Sequence, residues 1–228
     1  MFDKFLLLLD GSEIAESAIP YVRDMAGQLG AEVRMLNVCP PDQASYLHMR
    51  QIYMNRMAES FRQSIKEMWK PEKEPVVQAE AIVGDPAKAI LDYIQEKGID
   101  TVALTTHGAS GVRPKFIGNI ADRVVRSAGI PSLLIRIKEG YSLPIKPGII
   151  QKILLPLDSS DASKIAVPYA VELAKKLKAG VTLFSMAPTA YAQNLSGAEA
   201  SIGVNWDAVD ASTEKFIDGY LQGVEDEI

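Results

Sequence analysis

Lys4-Phe5-Leu6-Leu7-Leu8-Leu9-Asp10-Gly11-Ser12 opens the chain with an unbroken apolar run that stops on an acid, a glycine and a hydroxyl. A strand with one wet face alternates apolar and polar residues. A continuous run suits a strand covered on both faces, the situation of a central strand in a parallel sheet. Ser12 with Glu13 is a helix start, and Ala15, Ala18, Ile19, Val22, Met25, Ala26 and Leu29 then recur at helical spacing up to Gly30. Residues 32–38 form a second strand, closed by Pro40-Pro41. Strand, helix, strand is the parallel crossover unit.

The same alternation continues. Residues 46–69 form a long helix, with Ile52, Tyr53, Arg56, Met57, Phe61, Ile65 and Met68 assigned to one face as core packing. A charged, proline-bounded loop (70–75) leads to a third strand, 76–83. Gly84-Asp85-Pro86 supplies a turn, an N-cap and a proline at the first helical position, opening a helix that faces Ile90, Leu91 and Ile94 inward and stops at Gly98. Strand four is 101–105, an amphipathic helix runs over 120–128, and strand five is 132–137. The expected fold is α/β, a doubly wound open parallel five-stranded sheet with right-handed crossovers.

The chain then starts again. Lys152-Ile153-Leu154-Leu155-Pro156-Leu157-Asp158-Ser159-Ser160 matches residues 4–12, and the match runs without a gap to Pro188 opposite Pro40, with about a third of the paired positions identical. Pro20 pairs with Pro168, Tyr21 with Tyr169, and Val33 with Val181. A helix-like stretch over 208–221 corresponds to the long helix of the first copy, and the later strands have no counterpart. The organisation is therefore a first domain over 1–139, a proline- and glycine-bearing linker over 140–151, and a partial second β-α-β-α copy over 152–228. Half a sheet leaves an open edge and an uncovered face. We expect it to pack on the first domain or a second chain, or to belong to a longer tandem protein.

Composition narrows the classes of function. The 228 residues are 47% hydrophobic and 23% charged, with a net charge of −5, and the pI is about 5.2. That is a globular balance without the basic stripe of a nucleic-acid binder. Cys39 is the lone cysteine, so an intrachain disulfide is excluded. No signal peptide and no membrane span is legible, which makes a cytoplasmic protein without nucleic-acid or membrane partners the expectation.

Ligands of open parallel sheets bind at the carboxyl ends of the strands, where the strand order reverses. Four places converge there: Asp10 and Gly11 after strand one, Val38 closing strand two, Gly84 after strand three, and the loop from Thr105 to Gly118 after strand four. The carboxylate of Asp10 suits ribose hydroxyls or an adenine amino group. The Val38 backbone suits an adenine edge, and Gly84 has no Cβ to block a sugar. Thr106, His107, Gly108 and Gly111, with Gly118, Asn119 and Ile120 at the helix start, present backbone N–H groups and a partial positive charge to phosphate. Plainer roles stand beside these: Asp10 as a cap of the first helix, His107 as a backbone-bonded turn residue, Arg113 and Lys115 as solvated loop charges. Ser110 fails the Gly-x-Ser-x-Gly spacing of a nucleophile elbow, and no Walker A lysine or zinc motif is present.

On Asp10-Gly11-Ser12, Gly84-Asp85-Pro86, Gly129-Ile130-Pro131 and the Gly108 to Gly118 interval, the first domain resembles a universal stress protein domain, and residues 152–188 resemble it again. ATP-binding members carry Gly-x2-Gly-x9-Gly-Ser/Thr. Here Thr105 stands at the first glycine and Asn119 at the final hydroxyl, where its amide is expected to cap the helix and donate to phosphate. Leu8 replaces a frequent proline that the repeat keeps as Pro156. The resemblance implies an ATP-binding regulatory protein of stress response, with or without Mg²⁺, and a homodimer through the last strand, 132–137. Hydrolysis would at most be slow, since no general base or arginine finger is evident. The competing readings are an interaction module with an empty pocket, and a hydrolase or transferase of an adenylated compound.

Overall fold

The computed structural model describes residues 1–106, 117–136, 147–186 and 206–226. It divides into two compact units, Met1–Ile149 and Ile150–Ile228. The first is the expected sheet: β1 (Lys4–Leu8), β2 (Glu32–Cys39), β3 (Val77–Val83), β4 (Thr101–Thr105) and β5 (Ser132–Ile135), in the order β3-β2-β1-β4-β5. Every pairing is parallel, and Leu7 of β1 lies between Met35 and Ala103.

Both faces are covered, as the apolar run of β1 requires. Leu6, Leu36, Val102 and Leu104 pack against Ile90, Tyr93 and Ile94 of α4 (Pro86–Lys97) and against Ala121 and Val124 of α5 (Asn119–Ser127). The alternate residues Phe5, Leu7, Val33 and Met35 are fully buried on the other side. There α2 (Ile19–Leu29) and α3 (Leu47–Trp69) cover the sheet with Val22, Met25, Met54, Phe61 and Ile65.

Several expectations shift in detail. The single first helix is two: α1 (Glu13–Glu16) ends before α2, with Ser17 and Ala18 between them. Pro20 has no N–H for the Glu16 carbonyl, and its ring excludes a straight continuation. The stripe assigned to α3 is corrected: the buried line is Met54, Ala58, Phe61 and Ile65, while Ile52 and Arg56 are exposed. At about 100° per residue, positions two away from Met54 fall on the opposite side of the helix. In α4 it is Tyr93 that is buried and Leu91 that is half-buried. The Tyr93 hydroxyl donates to Glu80 Oε1 at 2.8 Å, and burial together with that bond pushes the phenol up to about 12. β1 stops at Leu8, β2 runs on through Cys39, and β3 starts at Val77.

Two contacts fix the back of this unit. Asp24, 1% exposed, accepts the Gly148 and Ile149 amides at 2.8 and 2.7 Å and the Gln28 side-chain amide at 3.0 Å. The end of the linker is thereby held on α2 by a buried carboxylate whose lone pairs are used. Gly27 of α2 meets the Trp69 indole of α3, with a Cβ placed there lying 2.4 Å from Cδ2.

The second unit contains β6 (Lys152–Pro156) and β7 (Gly180–Phe184) in parallel, with α6 (Asp161–Lys164), α7 (Ala166–Leu177) and α8 (Trp206–Asp226). Its helix break before Pro168 repeats the one before Pro20. Leu155, Leu157 and Ala170 form a small core with Val224, joined by Ile153, Val181, Leu183 and Tyr220. On the opposite face Leu154 and Phe184 are 63% and 51% exposed, whereas their counterparts Leu6 and Leu36 are buried at 0% and 1%. The difference has a simple cause: α4 and α5 cover that face in the first unit.

Gly27→Ala is expected to destabilise the first unit by about 1–3 kcal/mol, since a methyl group there must displace a packed indole ring. Urea denaturation followed by Trp fluorescence checks it; a stability equal to the wild type would mean that Trp69 is free to move aside.

Candidate functional site

β1 and β4 are neighbours whose onward connections leave in opposite directions, β1 to β2 and β4 to β5. The crevice between their carboxyl ends is the switch point of the sheet, the place where open α/β sheets bind ligands. Asp10 and Gly11 follow β1 and are exposed. Gly11 turns the chain with φ +85°, a value that side chains resist. The Asp10 carboxylate folds back on its own loop: Oδ1 accepts the Ser12 amide at 2.9 Å and the Ser12 hydroxyl at 2.6 Å. Ser12 is the N-cap of α1, its Oγ accepting the Ala15 amide at 3.1 Å. Capping thus falls to Ser12, and Asp10, exposed after β1, orients Ser12.

Thr106 follows β4, and its amide donates to the Ile135 carbonyl at 3.0 Å. Its own carbonyl accepts the Gly118 amide at 2.8 Å, so the two ends of the loop are drawn together. A Cβ on Gly118 would come within 3.3 Å of that carbonyl. Gly118, not Asn119, is the N-cap of α5, and as a glycine it has no side chain to cap with. Asn119 is the first helical residue, exposed, with Ile120 exposed beside it. The expected Asn119 cap is therefore corrected. A glycine N-cap brings no side chain of its own onto the opening amides, and the partial positive charge of a helix start favours an anion. His107, Gly108 and Gly111, with Ser110, Arg113 and Lys115, lie outside the described residues.

Thr105, at the position of the first glycine, is the last residue of β4 and 8% exposed. Strand alternation puts its side chain on the face opposite Val102 and Leu104. Val38 lies inside β2 next to Ile82 and is half-buried. Gly84 is joined to the end of β2 by its amide, which donates to the Cys39 carbonyl at 3.0 Å. A Cβ at Gly84 would press on the Ala89 methyl at 3.2 Å, so packing against α4 already asks for glycine there. Above the α4 and α5 starts, Arg123 and Asp85 form an exposed ion pair at 3.6 Å.

Sequence reasoning missed the polar group behind Asp10. Asn37, buried in β2, donates from Nδ2 to the Leu9 carbonyl at 2.7 Å. Arg50, on the first turn of α3, reaches the Asp10 carbonyl and Asn37 Oδ1 with Nη1, at 3.3 and 3.4 Å, and Gln43 Oε1 with Nη2 at 2.9 Å. The available signal was Asn37, a polar residue inside an otherwise apolar run. Close by, the Tyr53 hydroxyl donates to Glu16 Oε1 at 2.8 Å, and burial first, then that bond, raises its phenol above the ordinary range. Among the described residues no cluster of metal-ligating side chains is present, and no helix is long and apolar enough to cross a membrane.

The domain is an open, doubly wound α/β sheet with an acid, a glycine turn and a helix start at its switch point, the region where sheets of this class bind ligands. The model of the universal stress protein family matches residues 1–136 and 150–220, and the chain belongs to that family. Universal stress protein YxiE of Bacillus subtilis is 24% identical over 148 residues, covering 60% of this chain and 100% of that one. The structure of universal stress protein UspA from Lactobacillus plantarum superposes with a TM-score of 0.51 at 20% identity, over 59% of this chain and 98% of its own. A putative universal stress protein from Pseudomonas aeruginosa follows 98% of this chain with a TM-score of 0.65 and 13% identity, and this alignment spans 70% of that longer chain. At these identities the structural likenesses establish the fold.

The second unit repeats the acid turn. Asp158 Oδ1 accepts the Ser160 amide at 3.0 Å, and Ser160 caps α6 through the Ser163 amide at 3.1 Å. The bonds from Ser160, its side chain first, and then from Ser163 hold the Asp158 carboxyl down at about 2. The turn is thus fully formed above the ordinary carboxylate range and loosens as pH falls toward 2. Side-chain NMR titration is expected to give a midpoint near that value for Asp158, and Ser160→Ala should return it toward roughly 4. An unchanged midpoint in the variant would refute the assigned cause.

Proposed function

We propose that this chain is an adenine-nucleotide-binding regulatory protein of the stress-response type, with ATP as its ligand, with or without Mg²⁺. The observation that carries the proposal is the pairing of Thr106 with Gly118 beside β1. It brings the start of α5, with a glycine as its N-cap, to the end of β4 at the switch point, where Asp10 follows β1. In this reading Asp10 and Gly11 take the ribose, the Val38 backbone takes the adenine edge, and Gly84 leaves room for the sugar. Thr106, Gly118, Asn119 and Ile120, together with His107, Gly108 and Gly111, hold the phosphates by backbone amides. The family membership supports it, because ATP-binding members carry their glycines at the positions of Gly108 and Gly118.

Thr105 favours a second reading. A buried β-branched residue at the first-glycine position stiffens the exit from β4, which suits an interaction module with a nucleotide-free pocket. Either way β5 is an edge strand of the sheet among the described residues, with Leu134 38% exposed, and a homodimer through that strand is part of the proposal. A cytoplasmic setting and slow or absent hydrolysis complete it.

Calorimetry with ATP and Mg²⁺ on nucleotide-stripped protein is expected to give one site per chain. Gly118→Val should remove it while leaving the circular dichroism spectrum of the fold intact. Absence of both heat and thermal shift at millimolar ATP rejects nucleotide binding and leaves the interaction module standing.

A further inference from the structure

We infer that Arg50 is a positioning residue for Asp10, fixing the nucleoside end of the pocket from behind. This rests on the nucleotide reading above. The sheet ladder goes one step past β1, the Leu9 amide donating to the Leu36 carbonyl at 3.0 Å, and then the pattern changes. The next acceptors are taken by side chains: the Leu9 carbonyl by Asn37 Nδ2 at 2.7 Å, and the Asp10 carbonyl by Arg50 Nη1 at 3.3 Å. Two consecutive peptide planes are thereby set before Gly11 turns the chain. The direction in which Asp10 leaves the backbone follows from those planes.

Arg50 suits this task by geometry. Its guanidinium is a planar fork, and Nη1 and Nη2 point at different elements. One arm meets the end of β1 and Asn37 of β2, and the other meets Gln43 in the short 3-10 turn Pro41–Tyr46. That turn is itself tied to β2, the Cys39 thiol donating to the Gln43 carbonyl at 3.0 Å. One side chain of α3 thus sets the ends of two strands and the turn between β2 and α3 relative to one another. A point-like ammonium cannot span these partners. Arg50 Nε is buried and, among the described residues, has no partner, a desolvation cost that a surface arginine would avoid.

The second unit separates this latch from the acid turn. There Asp158 and Ser160 form the same turn with Ser185 at the position of Asn37. The turn therefore forms without Asn37, and the Asn37–Arg50 group adds something beyond it. That addition is found in the copy that carries Gly84, Thr106 and Gly118, the copy with a complete crevice.

A thermodynamic cycle on the full chain tests the assignment. ATP affinity is measured for the wild type, Asp10→Asn, Arg50→Met and the double variant, with amide hydrogen exchange read over residues 9–12. Each single change is expected to weaken ATP about tenfold, the scale of one charge-assisted hydrogen bond, and the double about tenfold as well, because Arg50 acts through Asp10. Exchange over residues 9–12 should accelerate in Arg50→Met. Additive losses in the double variant, or wild-type affinity in Arg50→Met, overturn the proposal. If the wild type binds no ATP, the nucleotide reading falls, and exchange alone decides the role of Arg50: acceleration sustains it and an unchanged rate overturns it. Should Arg50→Met fail to fold, Arg50→Lys, which keeps the charge and loses the fork, is read by the same criteria.

Discussion

Burial of β1 on both faces is the constraint from which the rest follows. Phe5, Leu6 and Leu7 are all fully buried, so water has no access to either side of the strand. One layer of helices cannot achieve that. The chain must return over one face with α2 and α3 and over the other with α4 and α5, and parallel pairing with crossovers is the arrangement that permits it. Once the helices lie on both sides, some pair of adjacent strands must send its connections in opposite directions. That pair is β1 and β4, and the crevice at their ends is a by-product of covering the core.

The site uses what that crevice offers. The sheet delivers the ends of four strands to one edge, and small residues keep the edge open: Gly11 by a backbone turn, Gly118 by its lack of a Cβ next to the Thr106 carbonyl. A glycine can serve packing and function together. At Gly84 packing alone favours glycine, since a Cβ there would crowd the Ala89 methyl at 3.2 Å whether or not a sugar ever occupies the space. Asp10 orients Ser12 through one carboxylate oxygen and stands exposed after β1, so its type alone does not tell a structural role from a binding one. Residues of this kind resist assignment by type alone; the network around them separates the roles.

The repeated unit is a control within one chain. It has the same opening strand, the same broken helix and the same acid turn, which are all short-range features set by local sequence. Its outer face differs. Leu154 and Phe184 are exposed where Leu6 and Leu36 are sealed, because among the described residues of that unit nothing corresponds to α4 and α5. Local structure was inherited with the repeated sequence, whereas burial depends on elements distant in sequence.

Sequence by itself determined the fold class, the order of the five strands' appearance and the repeated opening unit, and it put Asp10 and Gly84 just past the ends of their strands. Those follow from apolar periodicity, from turn residues and from the rule of strand ends, and each is written within a dozen residues. It did not determine the buried line of α3, where Met-rich composition made several faces plausible and only contact with the sheet selected Met54 and Ala58. Nor did it give the cap of α5, which went to Gly118 because the bond to Thr106 places that residue one step before the helix. Arg50 was invisible for the same reason: its partners, Asp10, Asn37 and Gln43, come from three elements. A hydrogen-bonded fork that joins them exists only after the sheet has brought those elements within 3.4 Å or less of one side chain.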